Sequence, residues 1–556
     1  LRIRRLGRLG VFAVCVAGVS SVVSAAELVN NDAYDLTWTN TVVGTIGMRA
    51  GSPASVITNR LSNNDGDLSF KRGDLITKRT DLLSELSLRL HNENELAFRL
   101  SGTAWYDGVY RGSHAPLAVS QSNAYPTTGL DRFTDSTRHV LGLGAELSDA
   151  FVQGKGELFD RNVHFRLGRH TLLWGENMFI NNGVSWGMAP FNGAKAPLMG
   201  QPLLKELSMP ETKLSGTVEL DHGFSLEGYY NMEFRTDRVA PAGSYFSTFD
   251  GIGDGGNKII AAQIAGLSSA ACTRGVGGEA LTGVCRLNIN RVSDKRAPNF
   301  GKDFGVALRY SDPANDRDWG FYYVHAPSRW ASMIQGPKSN DPGSVGTYQW
   351  IYPQDVNIVG ASLNTSLFED FNLGGEVSMR WNMPFSQNTV SYAYSSIPTG
   401  KSLHGQASLI RYLKPNGLWD AGIIMGEVAV QHLVSVDDGK YLTNPTTGAK
   451  TIAIDPTAAR TAVGFSGFIS PTWTQVFPDV DINAAIGATM TLTKRSAVDN
   501  TFNFNYNHGG HMQFTVGAVY QTAWSANVTY RHYVGSKTQN IAADRDYVLA
   551  SVKRSF

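Results

Sequence analysis

Four stretches of this 556-residue chain bring together side chains able to do chemistry. Asn63-Asn64-Asp65-Gly66-Asp67, followed by Phe70-Lys71-Arg72-Gly73-Asp74, is dense in oxygen ligands around a glycine that permits a sharp turn. Asp65, Asp67 and Asp74 would suit calcium, although EF-hand spacing and its distal Glu are absent; the same residues also make a turn whose Asp and Asn side chains bond their own backbone. Arg166-Leu167-Gly168-Arg169-His170 runs into Leu173-Trp174-Gly175-Glu176, where Arg169 paired with Glu176 would hold an inserted loop or present charge to a cargo. Charges near a buried wall are normally paired, which favours a structural ion pair over catalysis. Pro241 to Asp250 is apolar and aromatic, and Tyr245 and Phe246 would form a constriction, gather a hydrophobic ligand, or pack as a loop's own small core. His508-Gly509-Gly510-His511 offers two imidazoles, a weak transition-metal signal. G-x-S-x-G does not occur, so the chain is read as a non-enzyme with no cofactor.

The elements that must position these residues are strands. Leu36, Trp38, Val42, Ile46 and Met48 share one parity while Thr37, Thr39, Thr41, Thr45 and Arg49 take the other, as in a strand with one face in lipid and one in water. Three more segments repeat the pattern. Phe224, Leu226, Tyr230, Met232 and Phe234 oppose Glu227, Tyr229, Asn231, Glu233 and Arg235; Leu373, Val377, Met379, Trp381 and Met383 oppose Glu376, Ser378 and Arg380; Met512, Phe514, Val516, Ala518 and Tyr520 oppose Gln513, Thr515 and Gln521. Short polar turns at His91 to Asn94, Asp221 to Gly223, Glu369 to Phe371, Lys414 to Gly417 and Thr522 to Trp524 alternate with eight long connections: Ala50 to Arg79, Gly108 to Thr137, Leu172 to Glu211, Thr236 to Gly301, Ala326 to Gln354, Pro384 to Lys401, Ser435 to Ala459 and Lys494 to Gly510. That rhythm predicts an all-β chain forming a single transmembrane antiparallel β-barrel of about 16–18 strands, with long loops that reach outside or plug the lumen. Trp38, Trp105, Tyr106, Trp319, Trp381, Trp419 and Trp524 are expected in interfacial girdles. A soluble sandwich or propeller would not need that rhythm.

The two ends agree. Arg2, Arg4, Arg5 and Arg8 precede an apolar run from Val11 to Val23 and the small residues Ser24-Ala25-Ala26, so residues 1–26 read as a secretory signal peptide and 27–556 as the barrel with inserted loops. At the other end Val548, Ala550, Val552 and Phe556 share a face interrupted by Arg554, and the terminal aromatic resembles the signal read by the barrel-assembly machinery of a Gram-negative outer membrane. Charged residues make up only 17% and the net charge is +1, which gives no basic footprint for nucleic acid. No apolar run, that of the leader included, is long enough for a membrane helix. With Cys15 in the leader, Cys272 and Cys285 are left to pair as a staple inside one surface loop.

In their order these motifs resemble a proteobacterial family, domain-of-unknown-function family 1302. The pattern N-x-D-G-x-L-x-F-x-x-G-D with a later S-E-L stands here as Asn63 or Asn64, Asp65-Gly66, Leu68, Phe70, Gly73-Asp74 and Ser84-Glu85-Leu86. R-x-G-R-x-x-x-x-W-G-E stands as Arg166, Gly168, Arg169, Trp174, Gly175 and Glu176. K-E stands as Lys205-Glu206, and P-x-G-x-Y-F-S-x-x-D as Pro241, Gly243, Tyr245, Phe246, Ser247 and Asp250. After Trp186 the chain departs from the family's N-P-x-D with Gly187-Met188-Ala189-Pro190-Phe191-Asn192. The resemblance implies an outer-membrane barrel, set in outer-membrane lipid and lipopolysaccharide, that passes hydrophobic or amphipathic small molecules. It also implies company with a periplasmic protein and an RND-type transporter. A general polar-solute porin, an outer-membrane lipid or ester hydrolase and a structural docking barrel are the competing expectations.

Overall fold

The computed structural model describes residues 26–556 apart from 115–116, 118–130, 202–206, 282–283, 369, 388–396, 444–447 and 449. Residues 1–25 of the expected leader, Cys15 among them, and the Lys205-Glu206 motif lie outside the described residues.

Among the described residues eighteen antiparallel strands form one closed ring. In order they are β1 (Tyr34–Arg49), β2 (Leu75–Leu90), β3 (Ala97–Asp107), β4 (Leu143–Leu158), β5 (Arg161–His170) and β6 (Glu211–Glu219). Next come β7 (Phe224–Asn231), β8 (Phe304–Asp312), β9 (Arg317–Ala326), β10 (Val356–Leu367), β11 (Phe371–Pro384) and β12 (Thr399–Leu413). The ring ends with β13 (Ala421–Asp438), β14 (Thr461–Phe477), β15 (Val480–Thr491), β16 (Gly509–Tyr520), β17 (Trp524–Val534) and β18 (Tyr547–Ser555). Each strand pairs with its neighbours in sequence, and β18 closes on β1 in a register from Thr41↔Ser555 to Arg49↔Tyr547. Where β18 stops, Asn40 and Phe556 exchange backbone hydrogen bonds of 2.7 and 2.9 Å. Beyond that point the short strand Ala26–Asn30 takes over the same edge of β1, from Ala26↔Trp38 to Asn30↔Asp35.

Side-chain alternation sorts the wall. Leu100, Leu147, Leu214, Phe321, Val377 and Val516 are among the exposed large apolar residues, whereas Thr45, Ser378, Arg380, Gln406 and Thr515 are buried toward the inside. An apolar exterior around a polar interior is the arrangement a bilayer selects.

The strand pattern holds along most of each segment and fails at particular ends. Met383 does not continue the outward face of β11, because Asn382 takes a positive φ of 56° and the pairing with β12 shifts between Arg380 and Met383. That bulge turns Met383 into the interior. Phe234 likewise lies beyond the end of β7 and is buried. Trp105 points inward, with the Lys195 ammonium 3.0 Å from its ring centre, so it leaves the expected girdle. Arg554, which interrupts the terminal apolar face, stacks over Trp524 at 4.8 Å.

Nine long connections gather at one end: 50–74 (L1), 108–142 (L2), 171–210 (L3), 232–303 (L4), 327–355 (L5), 385–398 (L6), 439–460 (L7), 492–508 (L8) and 535–546 (L9). L9 was not among the eight long segments expected. L4 and L5 share a small sheet in which strands Lys258–Ala265 and Glu279–Leu281 flank Val284–Arg291, which pairs in parallel with Ser344–Ile351. The Cys272–Cys285 disulfide, with a Cα–Cα distance of 5.4 Å, staples that sheet.

Candidate functional site

L3 enters the lumen and crosses it. A loop inside a barrel carries backbone N–H groups that need partners, and inward-facing side chains of the wall supply them. Glu427 of β13 accepts the amides of Met178, Phe179 and Ile180 at 3.0, 2.7 and 2.8 Å. Glu376 of β11 accepts Glu176 N–H at 2.8 Å and also takes Val184 N–H. Arg380 donates to the carbonyls of Asn182 and Gly183, and His404 Nδ1 lies 2.9 Å from Asn182 Oδ1.

The far end of the same loop rests against the opposite wall. Met199 is buried between Val43 of β1 and Leu83 of β2, and Gln201 exchanges hydrogen bonds with Ser525 of β17. In a ring of eighteen strands β1 stands opposite β10. L3 is therefore a strap tied to both sides of the lumen.

The second family motif lies at the start of this strap. Trp174 is buried, its ring 5.2 Å from Tyr229 and 6.0 Å from Tyr322. Gly175 has φ +89°, and a Cβ there would collide with the Glu376 carboxylate. Gly183 faces the same carboxylate, with Oε1 2.5 Å from a hypothetical Cβ. Glu176 accepts from Asn364 at 2.8 Å. Arg169 faces Glu233 at 3.5 Å rather than the expected Glu176. Arg166 stays on the wall, bonded to Gln153 and stacked over Phe151. The stretch that departs from the family after Trp186 is gripped by cations: Arg329 donates to Gly187 O and Lys213 to Met188 O.

The first and third motifs meet each other. Asp67 is held by Arg49 at 2.9 Å and Arg545 at 3.1 Å, all three side chains fully buried. Asp250 accepts the amides of Asn64 and Asp65 at 2.9 and 3.3 Å, and burial pushes its carboxyl up to about 7. Gly66 lies against the Ser244 and Ser247 carbonyls, leaving no room for a Cβ. Tyr245 has no exposed surface: Arg49 stacks on it at 5.4 Å and its hydroxyl donates to Asp546 O. Phe246 packs on Tyr547 at 5.3 Å. Tyr245 thus cannot gather cargo, because L1, L4 and L9 are locked together around it. Asp74 accepts Lys71 N–H at the surface, away from the other two carboxylates. No group of three or more His, Cys, Asp or Glu among the described residues is placed to hold a metal ion. His508 is exposed while His511 is buried against Tyr506, so that pair diverges.

Beside this lock, between L4 and L5, lies a cavity of about 350 Å³ lined by Arg235, Arg238, Arg291, Arg296 and Arg329 together with Trp330, Trp350 and Tyr352. Of these arginines the sequence pointed only to Arg235, as part of a strand's polar face, and to none as a site residue. They come from three separated segments, and no local pattern gathers them.

The family model described as "Protein of unknown function (DUF1302)" matches residues 6–556. No curated protein matches the chain at a significant level. Among solved structures, the chain resembles OccAB3 of Acinetobacter baumannii at 9% identity and TM-score 0.41, covering 94% of this chain and 99% of that one. It resembles the outer membrane channel DcaP of Acinetobacter baumannii at 8% identity and TM-score 0.33, covering 95% and 99%. Salmonella typhi OmpF, solved in complex with daunomycin, is similar at 10% identity and TM-score 0.37, again covering 95% and 99%.

Proposed function

The chain belongs to the DUF1302 family, and from that premise we propose that it is an outer-membrane channel that admits hydrophobic or amphipathic small molecules past the L3 strap. The observation that carries this reading is the double anchorage of L3, by Glu376 and Glu427 on one wall and by Met199 and Gln201 on the other. A strap fixed at both ends narrows the lumen and makes passage selective. The aromatic lining of the cavity between L4 and L5 supports an amphipathic solute. A periplasmic protein and an RND-type transporter, as receivers at the short-turn end, belong to the same proposal.

Single-channel conductance of the refolded protein in a planar bilayer tests it. Small conductance in salt, together with uptake of an aromatic or alkyl solute into proteoliposomes, is the expected result. A steady wide pore indifferent to such solutes would favour the second reading, a polar-solute porin, which the polar inner wall of Ser362, Ser402, Gln406 and Thr515 supports.

A further inference from the structure

The charges around the L4–L5 cavity are unevenly matched. Arg291 is paired with Asp294 at 2.6 Å, and Arg329 with Glu211 and Asp303 at 2.6 and 2.5 Å. Arg235 and Arg238 share the single carboxylate of Glu146. Arg296 has no carboxylate partner among the described residues: it donates only to Phe234 O at 3.1 Å and lies 6.0 Å from the Phe234 ring centre. Asp237 and Asp254 also line the space, and one Asp237 oxygen already accepts the Phe191 amide at 2.7 Å.

The apolar side of the cavity is aromatic. Trp350 is buried, its indole N–H bonded to Gly251 O and its ring held edge-on by Tyr348 at 5.9 Å and Phe249 at 6.3 Å, so it offers the cavity a fixed apolar wall. Tyr352 packs edge-on against Phe234 at 5.7 Å, which brings it beside the ring that Arg296 approaches. Trp330 is half-buried on the same lining. A planar guanidinium lacking a carboxylate, set beside aromatic faces, matches a ligand with an anionic head and an apolar body. A volume of about 350 Å³ suits a single-ring or short-chain molecule.

We infer that this cavity binds a small anionic amphiphile, its carboxylate held by Arg296 with Arg238 and its apolar body laid against Trp330, Trp350 and Tyr352. The inference rests on the channel reading, to which it adds a substrate class and an entry site. Capture at the loop end would raise the local concentration of anionic solute above the strap.

Equilibrium binding to the full chain in nanodiscs free of lipopolysaccharide tests the site, with 4-phenylbutyrate, its uncharged amide and inorganic phosphate as probes and empty nanodiscs as the control. The carboxylate is expected to bind roughly tenfold or more tighter than the amide, and Arg296→Gln to remove that preference. Trp330→Leu, which leaves the charges in place, is expected to weaken the carboxylate without strengthening phosphate. Equal binding of acid and amide, or an unchanged affinity in Arg296→Gln, overturns the proposal; phosphate binding as tightly as the carboxylate overturns the amphiphile and leaves a plain anion or lipid-headgroup site. Flux into proteoliposomes is read separately. Binding without passage keeps the site and removes the channel reading, and passage without binding does the reverse.

Discussion

Arg545 and Asp67 meet at 3.1 Å with neither side chain exposed, although 478 residues separate them in sequence. The other Asp67 oxygen takes Arg49, which also pairs with the buried Asp544 carboxylate at 3.3 Å, so two carboxylates serve two buried guanidiniums. Asp67→Ala leaves Arg545 without its ion pair and Arg49 with Asp544 alone, and is expected to cost about 3–5 kcal/mol. Urea unfolding, followed by the loss of heat-modifiable mobility, measures it. A cost of only a few tenths of a kcal/mol would mean that water already screens the pair.

Glu427→Ala removes the acceptor of three consecutive amides in the strap. Each N–H left unmet is expected to cost about 1–3 kcal/mol, enough to free Met178 to Ile180 from the wall. Ion conductance should rise while the barrel keeps its heat-modifiable band. An unchanged conductance in a folded variant would show that this carboxylate does not hold the strap.

Trp174→Ala empties the space between Tyr229 and Tyr322 and is expected to cost about 3–5 kcal/mol, with conductance again increased. Trp174→Phe separates packing from hydrogen bonding. The indole N–H has no partner among the described residues, so Phe should retain most of the stability. A Phe variant as leaky as Ala would point to a requirement for the full indole volume.

Asp237 gives the anion cavity a pH dependence. Burial pushes its carboxyl up to about 6, against the opposing pull of Arg329 from L5 and with the help of Asp499 from L8. Phe191 of L3 donates its amide to it, and Arg238, also on L4, lines the same cavity. Above that pH the ionised carboxylate repels an anion, and below it the repulsion is gone. Affinity for an alkyl sulfonate, which stays charged throughout, should therefore rise as the pH falls from 8 to 5, and Asp237→Asn should flatten the curve near its low-pH value. A flat profile in the unsubstituted chain would count against any part for Asp237.

Alternation along β1, β7, β11 and β16 was readable because lipid on one side and water on the other impose a period of two on any strand between them. The failures sit where backbone geometry breaks that period. The bulge at Asn382 and the end of β7 at Asn231 redirect Met383 and Phe234 without a mark in composition. Trp105 could not be assigned to a face by type, since a Trp suits a girdle and a cationic lysine alike. The motifs around Asp67, Trp174 and Tyr245 were visible as motifs. What each does depends on a partner hundreds of residues away, as with Asp67 and Arg545, and single-sequence spacing carries no such pairing. The arginines of the cavity, spread from Arg235 to Arg329, illustrate the same limit.

The meeting of β1 with β18 sets the timetable of folding. Thr41 and Ser555, whose hydroxyls lie 3.1 Å apart, are 514 residues distant in sequence, so this pairing carries the largest loop-closure cost in the molecule and is expected to form late. Until then two unsatisfied ladders of amides and carbonyls face lipid or water at the margins of an open sheet, the condition under which strands recruit the wrong neighbour. A nine-residue strand thus decides whether the sixteen-residue β1 has one neighbour or two along its upper half.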